Sequence, residues 1–271
     1  MTDALFAASD GTAIAHRTYG SGARVVTALH TLSLDGSWYA GLAEELGPSY
    51  RMLCPDFRGH GGSEEGPEPM TLSRLAADVV ELWDHLGIET SIVLGVSMGG
   101  MVAQAVAASA PTRVEALVLT ATGGGFAEDA REGALQRLAG VRAAADMSAL
   151  VPATLERWFG ADGAAADVDR ARATLERTST RVHADALEAM LDVGRFGPPE
   201  PAVPTLVVGG DADISAPPAA IDALAAKYPG ARRVSVPGPH LFALTDPAAF
   251  AAEVRAFLDE HPAPWTRETP R

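Results

Sequence analysis

Gly95-Val96-Ser97-Met98-Gly99 forms a G-x-S-x-G pattern between an apolar run, Ser91 to Val96, and a helical stretch, Gly100 to Ala110. A serine in so tight a strand-to-helix turn is driven toward sparsely populated backbone angles, and flanking glycines remove clashes that any Cβ there would make. The turn presents Ser97 at a helix start. Free N–H groups and the positive end of the helix dipole then stand beside the reacting centre, which suits a developing oxyanion, and Met98 is the expected N–H donor. The chemistry indicated is nucleophilic attack by a hydroxyl on an acyl carbon. The alternative is a glycine-rich turn whose serine only caps the helix.

A serine hydroxyl is a weak nucleophile until a base takes its proton, so a histidine is required downstream of a strand. Of seven histidines, His240 fits best: it lies in Gly238-Pro239-His240, after the strand Val234 to Val236 and before the last helix. His85 falls on a helix, His183 in an inserted region and His261 in the tail. The base in turn needs a carboxylate to fix its tautomer. Gly210-Asp211-Ala212-Asp213 follows the strand Thr205 to Val208 and offers two. Asp213 is preferred, because two more residues let the side chain clear the strand end, while Asp211 can serve the turn itself. The chain order is then Ser, Asp, His. A second oxyanion donor is expected from His30-Thr31-Leu32-Ser33, with Leu32 N–H as the candidate, unless that loop is only a connector.

These residues are far apart in the chain, so the scaffold must bring three strand ends to one edge. Short Val, Ile and Leu runs alternate with helix-period segments, the pattern of a largely parallel sheet covered on both faces. The predicted strands are Ala13 to Tyr19, Val25 to His30, Met52 to Pro55, Ile92 to Val96, Ala116 to Leu119, Thr205 to Val208 and Val234 to Val236, with Leu5 to Ala8 as a weaker first one. Leu72, Leu75, Val79, Leu82 and Leu86 recur at helical spacing behind Thr71 or Ser73 as cap, and Phe250, Val254, Phe257 and Leu258 predict a final helix facing the sheet. From about Gly123 to Pro198 the alternation stops and an Ala- and Arg-rich helical stretch intervenes. We expect an α/β chain with a mostly parallel eight-stranded sheet: a core domain of residues 1–122 and 199–260, a helical lid of 123–198 inserted into it, and a tail of 261–271.

The formal net charge of −14 repels phosphate backbones and anionic lipid, and no basic run overrides it, so neither nucleic acid nor a membrane is an expected partner. No positive leader or long apolar span is visible, and a cytoplasmic location is expected. Cys54 is the single cysteine, which excludes an internal disulfide or a thiolate metal cluster; we read it as a buried strand-end residue rather than a catalytic thiol. The expected partner is a small ester or lactone, and the sequence admits a homodimer.

With these residues in hand, the chain from about Leu5 to Leu258 resembles the α/β-hydrolase superfamily, including the structural turn Asp56-Phe57-Arg58-Gly59-His60-Gly61-Gly62-Ser63. Within it the chain is most similar to the 3-oxoadipate enol-lactonases, through the His30-Thr31-Leu32 loop, the elbow Ser97 to Met101 and the stretch Leu155-Glu156-Arg157-Trp158-Phe159. That family usually carries a small polar residue or Asn where His30 stands. The resemblance implies attack of Ser97 on a lactone carbonyl, departure of an enolate, and water-driven release of the acyl group through His240, with no metal or organic cofactor. It also implies a substrate contact from Trp158, unless that ring only anchors the lid helix, and pairing of a substrate carboxylate with Arg142 or Arg157, unless these are solvated helix-face charges; His30 is a further candidate for substrate contact. C–C bond hydrolysis of a ring-cleavage diketone, cofactor-free perhydrolysis, and a ligand receptor that keeps the hydrolase fold are the rival readings.

Overall fold

The computed structural model describes residues 2–161 and 163–262; most of the expected tail lies outside them. Eight strands are present among the described residues: β1 (Thr2–Ala7), β2 (Ala13–Tyr19), β3 (Arg24–Leu29), β4 (Tyr50–Pro55), β5 (Ser91–Val96), β6 (Val114–Thr120), β7 (Thr205–Gly210) and β8 (Arg232–Val236). They form one sheet in the order β1-β2-β4-β3-β5-β6-β7-β8. β2 runs antiparallel to both β1 and β4, and every later pairing is parallel. All predicted strands are found, with ends shifted by a few residues.

The helices are α1 (Ala40–Leu46), α2 (Leu72–Leu86), α3 (Met98–Ser109), α4 (Glu128–Ala143), α5 (Val151–Phe159), α6 (Ala165–Arg177), α7 (Thr180–Met190), α8 (Pro218–Lys227), α9 (Phe242–Thr245) and α10 (Pro247–Glu260). None is long and apolar enough to cross a membrane, among the described residues. The two-residue period of the strands splits the core in two. Leu29, Val93, Leu117 and Val207 join Leu75, Val79, Val102 and Val106 on one face; Ala28, Ile92, Leu94, Val118 and Val208 join Phe250, Val254 and Phe257 on the other. Burial on both faces is why these strands read as continuous apolar runs rather than as alternation.

Helix α2 begins as its sequence dictates. Thr71 Oγ1 accepts the Arg74 N–H at 3.0 Å, and Gly87, at φ 65°, closes the helix in the left-handed region. Leu72, Leu75, Val79 and Leu82 are buried, but Leu86 is exposed. Leu86 lies in the last turn, so helical spacing placed it on a stripe that no longer meets the sheet. The four helices α4 to α7 lie between β6 and β7, with α4 packed on α7 and α5 on α6. Cys54 is fully buried, which pushes its thiol well above the ordinary range and away from nucleophilic use.

The turn after β4 is held from within. Asp56 accepts N–H groups from Gly36 and Gly62 at 2.7 and 2.9 Å, and Arg58 forms a two-pronged bond to Asp78 at 2.6 and 2.7 Å. All four groups of the Arg58 and Asp78 fork are withdrawn from water, so this turn is a structural tie between β4 and α2.

Candidate active site

Ser97 sits between β5 and α3 at φ 56°. Its N–H donates to Thr120 O at 2.9 Å, and its carbonyl accepts Thr122 Oγ1–H at 2.7 Å as well as the N–H groups of Gly100 and Met101 at 2.9 and 3.2 Å. The glycines follow from space. A Cβ on Gly95 would stand 2.2 Å from Gly99 O, one on Gly99 only 1.9 Å from Leu29 O, and one on Gly100 2.5 Å from the Thr122 side chain. Ser33, Ser97 and Ala121 are the three non-glycine residues with positive φ among the described residues, and they follow β3, β5 and β6. Backbone strain is therefore concentrated at the carboxyl ends of the central strands.

Gly99→Ala should destabilise the fold by about 3 kcal/mol, because the methyl meets backbone rather than a yielding side chain. Gly140→Ala is the control: a Cβ there has nothing within 4 Å, and an exposed helical glycine replaced by alanine should gain about 0.5–1 kcal/mol. Urea denaturation midpoints for the two variants should move in opposite directions.

Ser97 Oγ lies 2.9 Å from His240 Nε2, and His240 Nδ1 lies 2.8 Å from Asp213 Oδ2. Asp213 Oδ1 accepts the N–H groups of Ser215 at 2.7 Å and Ala216 at 2.9 Å. Burial pushes Asp213 upward, but the His240 hydrogen bond and charge together with the two backbone donors outweigh it, and the carboxyl is held below its ordinary range. An ionised Asp213 accepts a hydrogen bond from Nδ1–H, which keeps the proton on Nδ1 and leaves the Nε2 lone pair facing the serine hydroxyl. Ser97 is 8% exposed, while His240 and Asp213 are 3% and 2% exposed, so only the nucleophile end of the line reaches the surface to any extent. Asp211 plays a separate part. Its Oδ1 accepts the Gly238 N–H at 2.9 Å and shapes the turn that delivers His240.

The loop after β3 presses against the elbow, since it is the carbonyls of Leu29 and His30 that crowd Gly99. Tyr39 Oη–H donates to Leu29 O at 2.6 Å and anchors that strand end. Leu34 N–H closes a turn onto Thr31 O at 3.2 Å. Met98 opens α3, so its N–H has no intrahelical partner, and Leu32 N–H has no protein acceptor among the described residues. Met98 directly follows the serine, and neither its N–H nor that of Leu32 is spent on another protein acceptor among the described residues. The arrangement can deprotonate a hydroxyl and stabilise a negative oxygen formed beside it.

The expected substrate contacts fare differently. His30 is fully buried, donates from Nδ1 to Thr31 O at 2.7 Å and accepts the Phe57 N–H at Nε2 at 2.8 Å. Both ring nitrogens are spent inside the protein, so the expectation of a polar contact from His30 to substrate is corrected: burial pushes the ring down to about 4, and the neutral imidazole ties the β3 loop to the turn after β4. Arg142 is corrected as well, because it pairs with Glu188 at 2.6 Å on the exposed face of α4 and α7. Trp158 is buried in the same apolar cluster as Leu241 and Phe242, and its carbonyl accepts the Leu241 N–H at 3.3 Å, next to His240. Arg157 is half-buried and forms no ion pair among the described residues. Its neighbour Arg137 was not foreseen. The Arg137 Nε is buried without an acceptor among the described residues, and burial followed by the Arg157 charge pushes the guanidinium down to about 10. Nothing in an Ala- and Arg-rich helical stretch distinguishes that arginine from its solvated neighbours.

A family model described as the alpha/beta hydrolase fold matches residues 26–247. The enol-lactonase from Burkholderia xenovorans LB400 superposes with a TM-score of 0.86 at 31% identity, covering 94% of this chain and 100% of that one. The pimeloyl-acyl-carrier-protein methyl ester esterase of Chromobacterium violaceum is 31% identical over 224 residues, 81% of this chain and 80% of the esterase. A shorter match, 36% identical over 115 residues, relates 42% of the chain to the dihydrolipoyllysine-residue acetyltransferase component of the acetoin cleaving system of Cupriavidus necator, of which it spans 30%.

Proposed function

The chain belongs to the α/β-hydrolase fold family, and we propose that it is a serine hydrolase that opens a lactone or cleaves a carboxylic ester of a small, anionic metabolite. The observation that carries this reading is the unbroken hydrogen-bonded line from Ser97 through His240 to Asp213. Ser97 Oγ attacks the carbonyl carbon while His240 Nε2 takes its proton. The carbonyl oxygen becomes an oxyanion facing the Leu32 and Met98 N–H groups. Collapse of the tetrahedral adduct breaks the C–O bond, and the departing alkoxide or enolate receives the proton held by His240. In a lactone the leaving oxygen stays on the acyl chain, and an enol so formed becomes a ketone. Water, deprotonated by His240, then attacks the acyl-serine and releases the carboxylate and Ser97.

Arg137 and Arg157 support an anionic substrate, since the chain leaves both guanidinium groups without an ion-pair partner among the described residues despite its excess of carboxylates. The enol-lactonase likeness supports 3-oxoadipate enol-lactone as the compound to try first. The lid reading of residues 123–198 belongs to the same proposal: these helices carry both arginines and would cover the substrate.

A fluorophosphonate should label Ser97 stoichiometrically, read by peptide mapping, and labelling elsewhere or not at all would end the serine assignment. Arg137→Gln should raise KM for a p-nitrophenyl hemiester of a dicarboxylic acid by about 10–50-fold and leave p-nitrophenyl acetate within about threefold. Equal losses on both esters would remove the anionic-substrate part and leave the hydrolase intact.

A further inference from the structure

Thr31 to Leu34 form a β-turn closed by the Leu34 N–H, and Ser33 occupies its third position at φ 55°. That position in a turn with positive φ favours glycine, because a Cβ there is crowded by the backbone. The same turn places Leu32 second, where the N–H points away from the closing hydrogen bond. Ser33 leaving the left-handed region would reshape the closed turn that carries the Leu32 donor.

A partner from the inserted helices holds it there. Ser33 is fully buried, and its Oγ lies 2.8 Å from Nδ1 of His183, which is 3% exposed on the first turn of α7. The neighbouring residues fasten that turn to the core. Arg181 pairs with Glu65, and the Val182 side chain packs so closely on Gly59 that a Cβ there would stand 2.7 Å away. Three consecutive residues of α7 thus dock on two core loops, the one after β3 and the one between β4 and α2. His183 is pushed down to about 3, chiefly by burial and then by Arg137 and His60, so the ring is neutral and keeps this bond through the neutral range.

We propose that Ser33 and His183 are a positioning pair: α7 clamps the turn after β3 in its left-handed conformation and thereby aims the Leu32 N–H at the carbonyl oxygen that Ser97 attacks. The inference rests on the hydrolase reading and adds to it that the inserted helices take part in setting up the oxyanion site. Neither residue touches the reacting atoms.

The test compares side chains that separate the bond from the strain. Ser33→Ala keeps the Cβ and loses the bond; its kcat should fall about 10–100-fold with KM within about twofold, the size of loss that follows a misaimed oxyanion donor. His183→Phe keeps ring volume without Nδ1 and should reproduce that loss. Ser33→Gly accepts a positive φ unaided, so it should stay within about threefold of wild type and should restore His183→Phe in the double variant. The ratio of oxo-ester to thiono-ester rates supplies an independent readout, since sulfur accepts such hydrogen bonds poorly; it should be large in wild type and collapse in Ser33→Ala. Near-ultraviolet circular dichroism confirms folding of each variant. Should Ser33→Ala not fold, His183→Phe and its glycine double carry the comparison. A kcat within twofold of wild type in Ser33→Ala or His183→Phe, or failure of Ser33→Gly to rescue, overturns the clamp while the hydrolase reading stands. A wild type that cleaves neither ester sinks both.

Discussion

Ser97→Ala is expected to lower kcat on p-nitrophenyl acetate and on the favoured lactone by on the order of 10⁴–10⁶-fold, with no loss of the fold. The two halves of this expectation have separate causes. The hydroxyl is the atom proposed to bond covalently to the acyl carbon, and in the line of hydrogen bonds nothing else occupies its place: Oγ meets only His240 Nε2. The backbone of residue 97 is held by Thr120 O and Thr122 Oγ1, both of which alanine keeps, and alanine pays no more at φ 56° than serine does. The elbow should therefore survive its own inactivation. Steady-state rates paired with a urea denaturation curve check both halves, and a variant that stays within tenfold of wild type would leave the proposed nucleophile without support.

The elbow and the sheet were legible because their signals are local. Gly95, Gly99 and Gly100 leave no room for a Cβ, and that demand appears in the sequence as a short motif. The central strands are buried on both faces, so each appears as a run such as Ile92 to Val96 bounded by turn residues. His240 and Asp213 could be placed by counting from the ends of β8 and β7, since the reach of a side chain past a strand end depends on only a few residues. What escaped depends on contacts between distant segments. His183 falls in the inserted Ala- and Arg-rich stretch, where position argues against a base, and no local feature ties it to Ser33, 150 residues away. His30 stands in a loop that borders the elbow, yet its ring turns inward to Phe57, an orientation set by the turn after β4. Arg137 and Arg142 share helix α4 and look alike in sequence; only the position of Glu188 on α7 gives one of them an ion pair. Leu86 fits the stripe of α2 by spacing, yet at the end of the helix it is left exposed.

Asp213→Asn separates the carboxylate beside His240 from the one two residues earlier, and it should cost about 10³–10⁴-fold in kcat at neutral pH, the loss seen when a triad carboxylate elsewhere is neutralised. In the wild type, Oδ1 accepts from Ser215 and Ala216 while Oδ2 accepts from His240 Nδ1. An asparagine can keep the two backbone bonds only by leaving its oxygen at the first position, which turns its NH₂ toward the imidazole. A donor facing Nδ1 selects the tautomer with the proton on Nε2, and that nitrogen then donates toward Ser97 instead of accepting its proton. Asp211→Asn has no such consequence, because a carboxamide oxygen still accepts the Gly238 N–H, and its kcat should stay within about threefold of wild type. Stability gives a second reading with a definite sign. Asp213 is held below the ordinary carboxylate range in the folded chain, so its contribution is fully present above the unfolded value of about 3.9 and is lost as pH falls through the folded one. Denaturation midpoints followed downward from pH 7 should therefore fall with a component in the wild type that is missing in Asp213→Asn. If Asp211→Asn instead proved the crippled variant, the orienting carboxylate would have to be reassigned, and with it the tautomer that makes His240 a base.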